Sequence, residues 1–157
     1  MIFVPVGNYY KKNGLIDAKH RYNMLKLCTN ENPRIDVEDI VVETKTRLYA
    51  IDTFKLIRQK YSKDDIFFIM GSDNYRKIST WKNYEELINK NNIIVVKRDR
   101  KKTSVEDRKN IIEFIPEQLA EIDSTKIRKM ISNTEEESKK YLNSKVYEYI
   151  KKNKLYI

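Results

Sequence analysis

The segment IFFIMGSDNYRKISTW, residues 66–81, decides how the whole chain is read. Ile66, Phe67, Phe68, Ile69 and Met70 form an uninterrupted apolar run, the pattern of a short strand in a parallel sheet whose two faces are both covered by helices. The run predicts a central strand. It stops at Gly71, and Ser72, Asp73 and Asn74 then project from the strand's carboxyl end, where open α/β sheets place their ligand crevices. A carboxylate at that place can accept hydrogen bonds from ribose hydroxyls or help to hold a metal. The same residue types favour turns and helix caps, so Gly71 to Asn74 also reads as a plain turn before a helix.

Outward from this segment, strands and helices alternate. Toward the amino end, Ala50, Phe54, Ile57 and Tyr61 fall on one face of a helix running from about Tyr49 to Tyr61. Before it, Ile35 to Glu43 reads as a strand with Ile40-Val41-Val42 as its apolar part. Asp17 can cap a helix in which Ala18, Arg21, Met24, Leu25 and Cys28 recur at helical spacing. The chain opens on the strand Ile2 to Val6 and the polar loop Gly7 to Lys12. Toward the carboxyl end come a short helix through Trp81, Tyr84, Leu87 and Ile88, then the buried strand Ile93 to Val96. A polar stretch to about Asn110 precedes a last strand, Ile111 to Ile115. Ser124 can cap a helix whose apolar face is Ile127, Met130 and Ile131. Thr134 with Glu137 resembles a capping box opening a further helix, and Ser144 begins another that carries Val146, Tyr149 and Ile150. This alternation predicts a parallel α/β sheet.

Composition bounds the rest. With 157 residues, 40% of them hydrophobic, the chain has the length and apolar content of one domain, expected to span residues 1–157. No apolar run approaches the roughly 20 residues needed to cross a bilayer, and the amino end lacks a signal-peptide pattern. A soluble cytoplasmic protein with no membrane partner is expected. Cys28, the single cysteine, can form neither an internal disulfide nor a metal site and reads as a core thiol. A net charge of +9 suits nucleic acid or an anionic metabolite such as ATP. The lysines are spread over the whole chain and aromatics do not interleave with them along one element, so nucleic acid is not the expected partner. The densest patch, Lys97 to Lys102, reads as a solvated loop.

Ser124, Thr125 and Arg128 stand together near the first turn of the Ser124 helix. Helix amino ends offer free N–H groups and partial positive charge, so these residues suit a phosphate, although capping alone explains Ser124 equally well.

Taken together, Val4-Pro5-Val6-Gly7-Asn8, Arg21 with Met24-Leu25, Tyr49 with Asp52-Thr53, Gly71-Ser72-Asp73-Asn74 followed by Trp81-Lys82, Arg98, Asp123 to Arg128, and Tyr149-Ile150 with Leu155-Tyr156 resemble bacterial nicotinate-nucleotide adenylyltransferases over nearly the whole chain. The resemblance implies a Rossmann-like nucleotidyltransferase fold. It also implies transfer of AMP from ATP to nicotinic acid mononucleotide with Mg²⁺, releasing pyrophosphate. Position by position, Gly71 and Asp73 match a Gly-x-Asp loop at the nucleotide ribose. Ser124, Thr125 and Arg128 match a Ser-Thr-x-x-Arg motif on the ATP phosphates. Tyr49, Trp81 and Arg98 match acceptor-nucleotide positions, with Trp81 near the pyridine ring. Packing of Trp81 in the core with Tyr84 and Leu87 is the other reading of that residue. Lys12 falls where the family often has a cation aimed at phosphate. Lys12 and Arg128 are thus the catalytic candidates, since cations there would offset charge building on the phosphates. No protein metal ligand is assigned.

The family's Gly-x-Phe and His-x-Gly-His signature lies ahead of the Val-Pro-Val-Gly strand, and this sequence begins after it. His20, the one histidine, matches neither signature position and reads as a helix-surface residue. Tyr9-Tyr10-Lys11 stands where Pro-Pro-His is usual, and Ala50 where the family often has a threonine near the nicotinate. In the family's sheet order the first strand lies between the Phe3 and Phe67 strands, so its absence leaves two unpaired edges, which folded proteins avoid. The chain as given is therefore expected to be incomplete or altered. A second copy filling the gap, making a homo-oligomer, stays open, as do a nucleotide-binding protein without catalysis and a nucleotidyltransferase with another acceptor.

Overall fold

The computed structural model describes residues 1–10, 14–97, 108–116 and 122–156. They form two compact units, one of Met1–Arg47 with Ala120–Ile157, the other Leu48–Leu119.

The second unit is built on three parallel strands in the order β3 (Phe67–Gly71), β4 (Asn92–Val96), β5 (Ile111–Phe114). Phe68 is in register with Ile93, and Ile93 with Ile111; Met70 is in register with Val95. This row of side chains meets helix α2 (Ala50–Lys60) and helix α4 (Tyr84–Lys90) in a core that buries Ile51, Phe54, Met70, Leu87, Ile88, Ile93 and Val95. Leu87, Ile93 and Val95 are wholly inaccessible, and transfer of such side chains from water stabilises the unit by about 1.5–3 kcal/mol each. The predicted helix from about Tyr49 to Tyr61 is α2, with both tyrosines flanking it as caps. A one-turn helix α3 (Ser72–Tyr75) and a 3₁₀ turn (Ile78–Thr80) carry the chain from β3 toward α4. Trp81 ends that turn and lies outside the helix in which it was expected.

One expectation is corrected here. The Ile66 strand forms, but among the described residues β3 pairs with β4 alone, so it is an edge of this sheet and not its centre. Alternate residues Phe67, Ile69, Ile112 and Phe114 remain exposed, at 42%, 47%, 48% and 54%. An unbroken apolar run records that both faces of a strand suit burial; it does not record what covers them.

The first unit opens with the short parallel ladder of β1 (Ile2–Phe3) and β2 (Asp36–Val37). The predicted strand from Ile35 to Glu43 is therefore cut to two residues, and Val42 and Thr44 hydrogen-bond back into turns at Asp39 and Val41. The reason is a close crossing: a Cβ on Gly7 would meet the Val41 carbonyl oxygen at 2.6 Å, so the segment turns beneath Gly7 instead of running straight. Helix α1 (Ala18–Thr29) packs its Met24 and Leu27 against Ile131, Val146, Ile150 and Leu155. Those residues belong to helix α5 (Ser124–Asn133), helix α7 (Ser144–Lys152) and the tail after it. A short helix α6 (Glu135–Ser138) joins the two where Thr134 was read as the start of a helix. Among the described residues no helix is long and apolar enough to cross a membrane.

Candidate active site

At the carboxyl end of β3, Gly71 keeps extended backbone angles and passes the chain into α3. Ser72 and Tyr75 are buried and fix that single turn, while Asp73 and Asn74 stay exposed. The Asp73 carboxylate thus stands free of the core at the strand end, able to accept hydrogen bonds from vicinal hydroxyls of a ribose.

Because α2 runs back along the sheet before β3, its amino end reaches the same end of the unit as Gly71. There Tyr49 meets Lys82, the residue after Trp81. Tyr49 caps α2, and its N–H donates to Asp52 Oδ2 at 3.1 Å. Lys82, next to Trp81, donates to the same oxygen at 3.4 Å and places its ammonium 4.7 Å from the centroid of the Tyr49 ring. The indole of Trp81 is half-buried, its ring centroid 6.3 Å from that of Phe68. It therefore packs against the core, as one of the two readings offered for it has it, and keeps part of its surface open. Arg98 lies outside the described residues.

In the other unit, Ser124 and Thr125 open α5 and Arg128 follows one turn on, on the same side. Asp123, not Ser124, is the cap: its Oδ1 accepts from the N–H groups of Thr125 and Lys126, both at 2.8 Å. Those bonds, led by the one from Lys126, hold the Asp123 carboxyl below its usual range. An anion approaching this turn therefore finds two amides already engaged, and the Ser124 and Thr125 hydroxyls and the Arg128 guanidinium are the groups left to meet it. Arg128 Nη2 donates to Thr125 Oγ1 at 3.3 Å, which aims the guanidinium along the first turn. Burial pushes the Tyr156 phenol upward, and the positive charges of Arg128 and Arg21 act the other way.

Arg21 also secures the loop after β1. Its Nε donates to the Ile16 carbonyl at 3.0 Å and its Nη2 to the Gly7 carbonyl at 3.4 Å. Asn8 accepts from the Ala18 N–H at 2.6 Å and donates to Asp17 at 2.7 Å. These bonds border an open cavity of about 260 Å³ lined by Gly7, Asn8, Tyr10, Ile16, Asp17 and Arg21. Lys12, within the same loop, lies outside the described residues.

Two further readings change. His20 is not a free surface residue, because its Nδ1 lies 2.8 Å from the Tyr149 hydroxyl on α7. Cys28 is exposed, one step around α1 from Leu27, which faces the core. Among the residues that matter here, Asp52 and Asp123 were missed as partners. Asp52 sits three residues after Tyr49 and Asp123 directly before Ser124, and cap spacing could have found both. Lys82 stands in the sequence as the residue after Trp81, with no role of its own assigned to it.

Among the described residues no group of three or more His, Cys, Asp or Glu side chains could hold a metal ion. They do not fit a Mg²⁺ site made by the protein alone.

The profile of the cytidylyltransferase-like family matches residues 1–130. A probable nicotinate-nucleotide adenylyltransferase of Caldicellulosiruptor bescii is 33% identical over 99% of this chain and 83% of its own length. A protein of Fusobacterium nucleatum with the same name is 33% identical over 97% of this chain and 81% of its own length. Among solved structures, the Plasmodium falciparum nicotinic acid mononucleotide adenylyltransferase complexed with NaAD superposes with a TM-score of 0.75 at 22% identity, covering 99% of this chain and 81% of that one. The likeness to that structure shows the Rossmann-like fold. The chain belongs to the cytidylyltransferase-like nucleotidyltransferases, and within them to the nicotinate-nucleotide adenylyltransferase family.

Proposed function

We propose that this protein transfers AMP from ATP to nicotinic acid mononucleotide. The observation that carries the proposal is 33% identity to a probable nicotinate-nucleotide adenylyltransferase over 99% of the chain. In the reaction, a phosphate oxygen of the mononucleotide attacks the α-phosphorus of ATP. A new P–O–P bond forms, the α–β bond breaks, and pyrophosphate leaves with the electron pair. No covalent help from a side chain is required; positioning and stabilisation of phosphate charge suffice.

The geometry supports a division of labour. Asp73, exposed at the end of β3 beside Gly71, suits a ribose diol. Ser124, Thr125 and the Thr125-directed Arg128 suit phosphate oxygens, with Arg128 answering the charge that builds on the departing pyrophosphate. Tyr49 and the open part of Trp81 suit a flat, cationic pyridine ring. Lys12 and Arg98 complete the proposed set as further cations for phosphate and acceptor. Magnesium travelling with ATP, held by the nucleotide's own phosphates, and a cytoplasmic setting belong to the same proposal. The test is pyrophosphate release that requires ATP and nicotinic acid mononucleotide together. Release with ATP alone, or none with both, would overturn the reading.

A further inference from the structure

We infer that the side chain of Lys82 selects the acid form of the acceptor by meeting the carboxylate on its pyridine ring; the inference rests on the proposed acceptor. Lys82 is placed but not consumed. Its ammonium has three N–H donors, and among the described residues one is engaged, toward Asp52 Oδ2 at 3.4 Å, the long limit of such a contact. Asp52 is itself occupied by the Tyr49 N–H at 3.1 Å. The Tyr49 ring, 4.7 Å away, steers the ammonium by its face without using an N–H on a strong acceptor. The Lys82 side chain remains 46% exposed.

Nearby Lys55 differs, since Glu86 holds it at 3.0 Å. Lys82 is also the residue next to Trp81, so a ring laid on the open side of the indole lies within reach of a four-carbon side chain whose ammonium is already turned toward Tyr49.

The charge balance gives the selectivity its sign. A pyridinium ring carries one positive charge in both acceptor forms. The acid form adds a carboxylate, which the ammonium attracts; the amide form offers a neutral carbonyl oxygen, a weaker acceptor that leaves the like charge of the ring unbalanced. Attraction to one and repulsion of the other act in the same direction, as specificity requires. Asp52 tempers the repulsion, and its contact with Lys82 is a half-exposed pair of the weak kind that a ligand carboxylate can displace.

The experiment compares wild-type protein, Lys82→Met and Lys82→Arg with nicotinic acid mononucleotide and its amide counterpart, by steady-state kinetics and by titration calorimetry of each mononucleotide. A charge-assisted hydrogen bond at such a site is worth about tenfold in binding. Lys82→Met is expected to raise KM and Kd for the acid by about that factor, to leave those for the amide unchanged or lower, and to spare KM for ATP. Lys82→Arg is expected to restore most of the preference.

Equal losses on both mononucleotides, or an unaltered acid-to-amide ratio in an active Lys82→Met protein, would overturn the inference while leaving the adenylyltransferase reading intact. Acid binding that Lys82→Met weakens, with no pyrophosphate released by wild type, would keep the inference and sink catalysis. Failure of wild type to bind either mononucleotide would overturn both.

Discussion

The hydroxyl of Tyr149 on α7 lies 2.8 Å from Nδ1 of His20 on α1, and the same oxygen accepts a hydrogen bond from the Asn23 side chain at 2.9 Å. The phenol oxygen accepts from Asn23, and its contact with Nδ1 is a hydrogen bond whose direction follows the imidazole tautomer. One hydroxyl therefore ties two turns of α1 to α7 beside the buried Val146 and Ile150. Tyr149→Phe keeps the ring and removes both bonds. The variant should lose about 1–2 kcal/mol in urea unfolding with an unchanged slope. A midpoint equal to wild type would show that water replaces both contacts.

Gly7 passes so near the Val41 carbonyl that a methyl group cannot fit: the added Cβ would stand 2.6 Å from that backbone oxygen. Gly7→Ala should therefore cost about 1–3 kcal/mol, through steric overlap. Coincident urea midpoints for variant and wild type would contradict the crossing.

Asp17 caps α1, and the Lys19 N–H bond at 2.8 Å holds its carboxyl below the usual range, with the Asn8 side chain helping. A carboxyl with a depressed folded value contributes stability above its unfolded value and loses it as pH falls through the folded one. Asp17→Asn retains an acceptor but does not titrate. Unfolding measured from pH 7 down to below the ordinary carboxylate range should show wild type losing an acid-dependent part, about 0.5 kcal/mol once solvent screening is allowed for, that the variant lacks. Parallel pH profiles would contradict the cap.

Arg128 and Trp81 should separate in kinetics. Arg128→Ala is expected to lower kcat about a hundredfold, because it removes charge stabilisation that grows during transfer. Trp81→Phe keeps the packing on Phe68 while shrinking the open surface, and should raise KM for the mononucleotide several-fold at nearly constant kcat, an effect on the order of 1 kcal/mol. Steady-state kinetics with each substrate varied in turn decides. The same effect of both variants on one parameter would undo the assigned division of labour.

Local pattern carried the helices and the three strands of the second unit. The spacing of Ala50, Phe54 and Ile57 defines the buried face of α2, and the apolar runs at Ile66 and Ile93 became β3 and β4. What the sequence could not carry depends on partners distant along the chain. The segment after Ile35 has strand composition, yet only Asp36 and Val37 pair, because Val41 turns under Gly7. The position of β3 in its sheet and the exposure of Cys28 are likewise set by what lies opposite. In the candidate site, Asp73, Ser124, Thr125 and Arg128 could be named from motif order, whereas the Lys82 ammonium reaches Tyr49 only through the fold.

Incubation of the protein with ATP labelled on the α-phosphate, nicotinic acid mononucleotide and magnesium tests the central claim most directly. The account predicts label in a dinucleotide formed one for one with pyrophosphate. ATP binding without transfer of label, or transfer to a different nucleotide in preference to the pyridine mononucleotide, would contradict it.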